Sequence, residues 1–385
     1  MSITPMIRNS ICMNAHPKGC ELHVQEQIDY VRSKGPVPGP KRVLVIGGSA
    51  GYGLASRIVS AFGCGAGTIC VAFEREPSEK RSGSSGWYAV EAFDAAAREA
   101  GLPTRTIIGD AFSHEIKAQT VEAIKEMFGS VDLVIYSLAS GIRPDPDTGV
   151  QYRSVLKPLG STYRAATVDP ITSTISEAVI EPATEEEAAA TVKVMGGEDW
   201  KLWIDKLSAA GVLAEGAITV AYSYIGPELT RPVYREGTIG RAKDHLEQTA
   251  RDLDEQLQKI GGHAWVSVNK ALVTRASAVI PVVPLYLGIL YRVMKAKGLH
   301  EGCVEQIYRL YADRLYTGSA PELDKQQRIR LDDWEMRDDV QAEVDRIWPT
   351  VTQENVEQLA DLEGYRTEFL QIHGFGFPQI DYDAE

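Results

Sequence analysis

Tyr234 and Lys243 lie nine positions apart in the stretch "YREGTIGRAK". A phenol, with an ordinary pKa near 10, can donate to an oxygen on which charge is developing if a nearby cation stabilises the phenolate it approaches. Reduction of a carbonyl or conjugated carbonyl by a nicotinamide hydride donor asks for such an acid. Lysine can also hold the ribose hydroxyls of that donor. Among 16 tyrosines a lysine at this distance arises by chance, so context has to carry the assignment. In one continuous helix, nine steps of about 100° would send the two side chains to opposite faces. Cooperation therefore requires Tyr234 to precede the helix, with "EGTIG" (236–240) as an irregular lead-in and Lys243 in the first turns. Gly237 and Gly240 permit that geometry.

The second constellation is "IGGSAGYGLA", in which Gly47, Gly51 and Gly53 fit G-x-x-x-G-x-G between an apolar run and a helical pattern. Glycines there let the backbone turn tightly and approach a pyrophosphate, whose charge a helix N-terminus meets. Glu74 follows Gly53 by 21 residues, at the expected end of the next strand. A carboxylate at that place accepts hydrogen bonds from an adenosine ribose diol and repels a 2′-phosphate, which favours NADH over NADPH. The same residues spell G-x-S-x-G around Ser49, the nucleophile-elbow pattern of serine α/β-hydrolases, with His245, His263, His300 and His373 available as a base. Against a hydrolase, the turn would follow the first strand after the linker "GPVPGPK" (35–41), and no HGGG-type stretch supplies a second oxyanion donor. Cys12, His16, Cys20 and His23 cluster as well. Their C-x3-H-x3-C-x2-H spacing fits no common structural zinc site, and buried thiols with ordinary imidazoles are expected, with no metal.

The elements that must position these groups follow from periodicity. "RVLVI" (42–46), "TICVAFE" ending at Glu74, "TRTIIG" followed by Asp110, "VDLVIYSLA", "GAITVAYSYIG" and "HAWVSVN" read as buried strands. Helical patterns separate most of them, including "WYAVEAFDAAAREAG", "SHEIKAQTVEAIKEMFG" and a long helix after Gly240. The alternation predicts an α/β fold: a Rossmann-like doubly wound parallel sheet with helices on both faces, an N-terminal extension and helical C-terminal additions. Loop signals run from Ser140 to about Thr167.

The 385 residues suffice for two domains or one enlarged α/β domain, and 44% hydrophobic with 24% charged residues is ordinary globular composition. Lys+Arg 40 against Asp+Glu 53 leaves a net charge of -13, which disfavours nonspecific binding to nucleic acid or anionic membrane. Five sparse cysteines predict reduced thiols in a cytoplasm. The N-terminus lacks a signal-peptide core. The most apolar run, Ala276 to Tyr291, carries Pro281 and Pro284 and falls short of the roughly 20 residues that span a bilayer, so a soluble chain is expected.

Longer blocks carry a resemblance. "HPKGCELHVQEQIDYV", "GGSAGYGLASRI", "GGEDWKLWIDKLSAAGVLAEGAITVAYSYIG", the Tyr234-x8-Lys243 pair, "KALVTRASAVIPVVPLYLGILYRVMKAKGLHEGCVEQ" and "GFGFPQIDYD" resemble the long trans-2-enoyl-CoA/enoyl-ACP reductases of the FabV type, over essentially the whole chain. That family sits in the short-chain dehydrogenase/reductase superfamily, with a wider Tyr-to-Lys spacing than its typical members. The resemblance implies NADH-dependent reduction of a trans-2-enoyl thioester, carried by acyl carrier protein or coenzyme A, in fatty-acid synthesis. It implies Tyr234 as proton donor, Lys243 as cofactor-binding helper and Tyr224 as a substrate contact. For the cofactor it implies Gly47, Gly48, Ser49, Ala50, Gly51 and Tyr52, with Gly53 from the glycine pattern itself, then Phe73 and Glu74, Asp110 and Ala111, Leu138 and Ala139, and Leu272, Val273 and Thr274. The apolar run Ala276 to Tyr291 becomes a candidate acyl-pocket wall as well as an ordinary buried helix. A carbonyl (ketoacyl) reductase of the same superfamily would use the same phenol and lysine. The expected organisation is 1–80 for the extension and the start of the NADH unit, 81–318 for the remaining catalytic region with the substrate pocket, and 319–385 for a helical C-terminal segment, all one compact unit. The segment after about residue 320 is sometimes labelled flavin-binding in this family, but it shows no glycine loop that would hold a flavin. Oligomeric state leaves no mark in the sequence, and a monomer is the working expectation.

Overall fold

A computed structural model describes residues 3–8, 11–277, 280 and 282–383. A short ribbon of β1 (Ile7–Arg8) and β2 (Ile11–Cys12) leads into α1 (Pro17–Lys34). Pro17 opens that helix and the His16 side chain caps it, accepting from the Gly19 N–H at 3.3 Å. Then β3 (Arg42–Ile46), α2 (Gly51–Ile58), β4 (Gly67–Ala72), α3 (Ser85–Glu99), β5 (Thr104–Ile108), α4 (His114–Met127) and β6 (Val131–Tyr136) alternate as their apolar runs predict. Two antiparallel excursions follow, β7 (Ile142–Pro144) with β8 (Gln151–Arg153) and β9 (Tyr163–Asp169) with β10 (Thr174–Ile180). The chain returns through α5 (Glu185–Met195), α6 (Glu198–Ala209), β11 (Leu213–Ser223), α7 (Thr238–Leu257) and β12 (His263–Val268). It ends with α8 (Val283–Ala296), α9 (Cys303–Leu310), β13 (Arg328–Arg330), α10 (Asp338–Ile347), α11 (Val356–Leu359) and α12 (Leu362–Gln371).

One seven-stranded sheet, in the order β13-β12-β11-β6-β3-β4-β5, organises the molecule, and every pairing in it is parallel. Successive residues of a strand point to opposite faces. Val43 and Val45 enter a core shared with α1, α2, α3 and α9, while Leu44 and Ile46 enter another shared with α4, α6 and α7. Both faces are covered, so the strands read as continuous apolar runs. A third core gathers α8, α10, α11 and α12 with residues 271–273. Among the described residues no helix is long and apolar enough to cross a membrane.

Four expectations need correction. The loop expected from Ser140 to Thr167 contains β7, β8 and the start of β9, and β10 was not anticipated. These strands lie outside the main sheet and are only partly covered, so they lack a buried apolar run. The C-terminal segment is not purely helical: β13, "RIR", joins the central sheet as its edge. Its arginines are held by Asp324, Asp332 and Glu247, which is how a strand with so little apolar content is accommodated. Strand β4 stops at Ala72, leaving Phe73 and Glu74 just beyond it. Helix α7 begins at Thr238, so Gly240 lies inside its first turn instead of before it. Of the apolar run 276–291, Ala278, Val279 and Pro281 lie outside the described residues.

Candidate active site

Strands β3 and β6 are neighbours, and the winding reverses between them: β4 and β5 extend the sheet to one side, β11, β12 and β13 to the other. The carboxyl ends of such a pair form the crevice in which open α/β sheets bind ligands. Gly47 follows β3 with φ 86°, a conformation that favours glycine. A Cβ at Gly47 would collide with the Ser137 carbonyl beyond β6, and one at Gly53 would collide with the Gly47 carbonyl. The glycines thus let the two strand ends and the start of α2 close on one another. Ala50, at the N-cap of α2, supplies no side-chain cap, so the first-turn N–H groups suit an anion.

Glu74 stands beside this turn. Its Oε1 accepts from Ser49 Oγ at 2.7 Å and from the Arg275 guanidinium at 2.8 Å. Its Oε2 is buried with no hydrogen-bond partner among the described residues, an acceptor that a ribose diol would complete. Phe73 is 79% exposed. The Ser49 proton is therefore directed to Glu74 and not to a histidine. His245 instead accepts from the Gly197 N–H, His263 bonds Asp254, His300 bonds Glu368, and His373 is buried with its ring against Phe369, so none of the four candidate bases is hydrogen-bonded to Ser49. Cys12 donates to the Asn14 carbonyl at 3.3 Å, and among the described residues no three potential ligands converge as a metal site.

The remaining cofactor candidates follow the carboxyl ends of other strands of the same sheet. Asp110, past β5, accepts the Phe112 N–H at 2.9 Å. Ala111 is held from behind by the buried Lys117 ammonium, which donates to the Ala111 and Phe112 carbonyls, both at 2.9 Å, and to Asp199 at 2.7 Å. Leu138 and Ala139 follow β6, half-buried and exposed. Thr274 comes within 3.7 Å of the position a Cβ at Gly51 would take, so the 272–274 strip lies against the glycine turn. Tyr52 donates to the Lys270 carbonyl at 2.8 Å, joining that turn to the same strip.

Tyr234 sits in the turns between β11 and α7, ahead of the helix as its spacing requires, and Lys243 is the sixth residue of α7. A Cβ at Gly240 would collide with the Arg235 carbonyl, so the tyrosine turn packs directly on the first helical turn. Arg235 clamps it there, bonding Asp244 at 2.6 Å and Glu247 at 3.1 Å. Arg328 of β13 meets the same Glu247 at 3.0 Å. Tyr234 is buried, and burial pushes its phenol well above the usual range, so it stays protonated. Burial also lowers the Lys243 ammonium from 10.5 to about 8, with Glu247 opposing the shift and Arg235 adding to it. Neither the Tyr234 hydroxyl nor Lys243 Nζ has a hydrogen-bond partner among the described residues. The Tyr224 ring meets that of Tyr234 edge-on at 5.0 Å.

Three family models cover nearly the whole length. Residues 2–79 match the NAD(P)H binding domain of trans-2-enoyl-CoA reductase, 81–316 its catalytic region, and 323–385 the enoyl reductase FAD binding domain. The chain belongs to the trans-2-enoyl-CoA reductase family. An enoyl-[acyl-carrier-protein] reductase [NADH] of Cytophaga hutchinsonii is 58% identical over 385 residues, covering 100% of this chain and 97% of that protein. The crystal structure of Treponema denticola trans-2-enoyl-CoA reductase in complex with NAD matches with a TM-score of 0.97 at 56% identity, covering 100% of this chain and 98% of the other. The Clostridium acetobutulicum trans-2-enoyl-CoA reductase in complex with NADH gives a TM-score of 0.98 at 43% identity, covering 100% and 97%. No glycine occurs between Gly318 and Gly364, so β13 is followed by no glycine turn of the kind that receives a dinucleotide.

The glycine turn, Glu74, Tyr234 and Lys243, named from the sequence, all lie past the carboxyl ends of strands of the one parallel sheet. Sequence reasoning did not find Arg275, Lys117, Lys270 or Glu335. A lysine two positions before the 272–274 strip was a usable signal for Lys270; the others carry no local motif.

Proposed function

We propose that this protein reduces the trans-2 double bond of enoyl thioesters with NADH, giving the saturated acyl thioester of fatty-acid synthesis. The observation that carries the reading is the buried, unpartnered Tyr234 phenol, locked onto the helix of Lys243 at the carboxyl end of the sheet that bears the glycine turn. Gly47 to Gly53 and the α2 N-terminus would hold the pyrophosphate. Glu74 Oε2 would accept from the adenosine ribose, with Phe73, Asp110, Ala111, Leu138 and Ala139 lining the adenosine side, and Leu272 to Thr274 with Lys243 the nicotinamide side. NADH, when bound, supplies the hydride that reaches the β-carbon of the substrate.

Tyr234 donates a hydrogen bond to the thioester oxygen and stabilises the charge that develops there. Lys243 makes the phenol a better donor through its positive charge and holds the ribose hydroxyls. Tyr224 contacts the substrate, and the α8 face walls the acyl chain. The α-carbon then takes a proton from water, which completes the saturated product. Both carriers occur in the names of close relatives, and both are anionic thioesters. The cytoplasm is the compartment and the monomer the assembly we infer, the latter checked by light scattering.

The test supplies crotonyl-CoA and acetoacetyl-CoA in turn while NADH absorbance is followed, then C4 to C12 enoyl thioesters on both carriers. Rapid oxidation with crotonyl-CoA and little with acetoacetyl-CoA is expected. The reverse preference would make the protein a carbonyl reductase.

A further inference from the structure

Glu335 lies between β13 and α10 and is completely buried. Burying a carboxylate is costly unless donors surround it, and here they come from three separate parts of the site. Its Oε1 accepts from the Tyr224 hydroxyl at 3.0 Å and the Tyr286 hydroxyl at 2.7 Å, and its Oε2 from the Ala271 N–H at 2.8 Å. Tyr224 directly follows β11 and meets the Tyr234 ring, Ala271 precedes the Leu272–Thr274 strip, and Tyr286 stands on α8. Burial raises the Glu335 carboxyl above its usual range, and the buried Lys270 ammonium, the Ala271 N–H and the Tyr286 hydroxyl work against that shift.

The glutamate is itself fixed. Gln341 Nε2 donates to its backbone carbonyl at 2.7 Å. Asp333, two residues earlier, is bonded by Arg309 at 2.8 Å and Arg314 at 3.0 Å. Such bracing is what a group needs if it is to hold others in place.

We propose that Glu335 is a positioning residue for the reduction. Its carboxylate takes the Tyr224 proton in a charge-assisted hydrogen bond, so Tyr224 meets the substrate through its ring and oxygen lone pairs. Tyr234 is then the phenol left free to donate to the thioester oxygen. The C-terminal segment thereby completes the active site. This rests on the reading of Tyr234 as donor.

The test is a double-mutant cycle on the full-length protein with crotonyl-CoA and NADH, using Glu335→Gln, Tyr224→Phe and both together. The amide retains the shape but cannot accept at both ends, so kcat should fall about tenfold to a hundredfold, the range for losing a hydrogen bond to a charged group. NADH affinity, read by fluorescence, should change far less. If Glu335 acts through Tyr224, the double variant is no slower than Tyr224→Phe alone. Losses that multiply, or a Glu335→Gln protein of unchanged kcat, overturn the proposal. Should Glu335→Gln not fold by circular dichroism, Glu335→Asp carries the same cycle with the same criteria. Unchanged turnover in Tyr234→Phe would instead remove the underlying reading, so the two failures are told apart.

Discussion

At Glu74 one oxygen is taken by Ser49 and Arg275 while the other is buried without a donor among the described residues. Replacing Glu74 by alanine removes a negative charge and releases the Arg275 guanidinium, a group suited to a 2′-phosphate. The expected outcome is a KM for NADPH lower by about tenfold or more, read by steady-state kinetics, and an unimproved KM would refute this role. Lys243 sets a pH limit. Burial disfavours its ammonium, so the proton leaves at about 8 instead of 10.5. Below that pH the group is the cation proposed to assist the phenol, and above it a neutral amine, so on that proposal kcat/KM should fall as pH rises through about 8. Lys243→Arg keeps its charge and should move the alkaline limb upward. The candidate residues legible in the sequence were those whose proposed chemistry rests on local spacing: the glycines, Glu74, and the phenol with its lysine. Lys117 and Asp199 are 82 positions apart, and Tyr224 and Glu335 are 111 apart. Only folding brings such pairs together, so no local pattern announces them.

At the scale of elements, the turn that carries Tyr234 depends on a glycine inside a helix, a position that glycine ordinarily weakens. The collision a Cβ at Gly240 would make with the Arg235 carbonyl explains why. Gly240→Ala should displace the tyrosine turn, lower stability by about 1–3 kcal/mol in denaturant titration and reduce kcat by about tenfold or more, while the glycine turn, built on other elements, keeps NADH affinity near its original value. A kcat equal to that of the unaltered protein would show that the close approach does not position Tyr234. The strands of the central sheet from β3 to β12 were readable because burial on both faces demands uninterrupted apolar runs. Strands β9 and β10 were not readable, because they pair with each other away from the sheet and stay partly exposed. Nor was β13, whose three residues include two arginines held by acids from other segments.

Across the whole molecule, the groups proposed for chemistry collect at one end of a single parallel sheet, because every strand delivers its following loop to that end. The N-terminal part supplies the glycine turn and Glu74, the middle supplies Tyr224, Tyr234 and Lys243, and the C-terminal segment supplies the sheet edge and Glu335. With a net charge of -13, the molecule as a whole repels an anionic carrier thioester, so attraction has to come from local cations such as Lys243, Lys270 and Arg275. The central claim is that the Tyr234 phenol, held ahead of α7, donates to the substrate oxygen. Its most direct test is Tyr234→Phe, assayed for kcat with crotonyl-CoA at saturating NADH and for NADH affinity by fluorescence. The account predicts a kcat lower by about 10²–10⁴-fold with NADH affinity nearly unchanged. Turnover equal to that of the unaltered protein would contradict it.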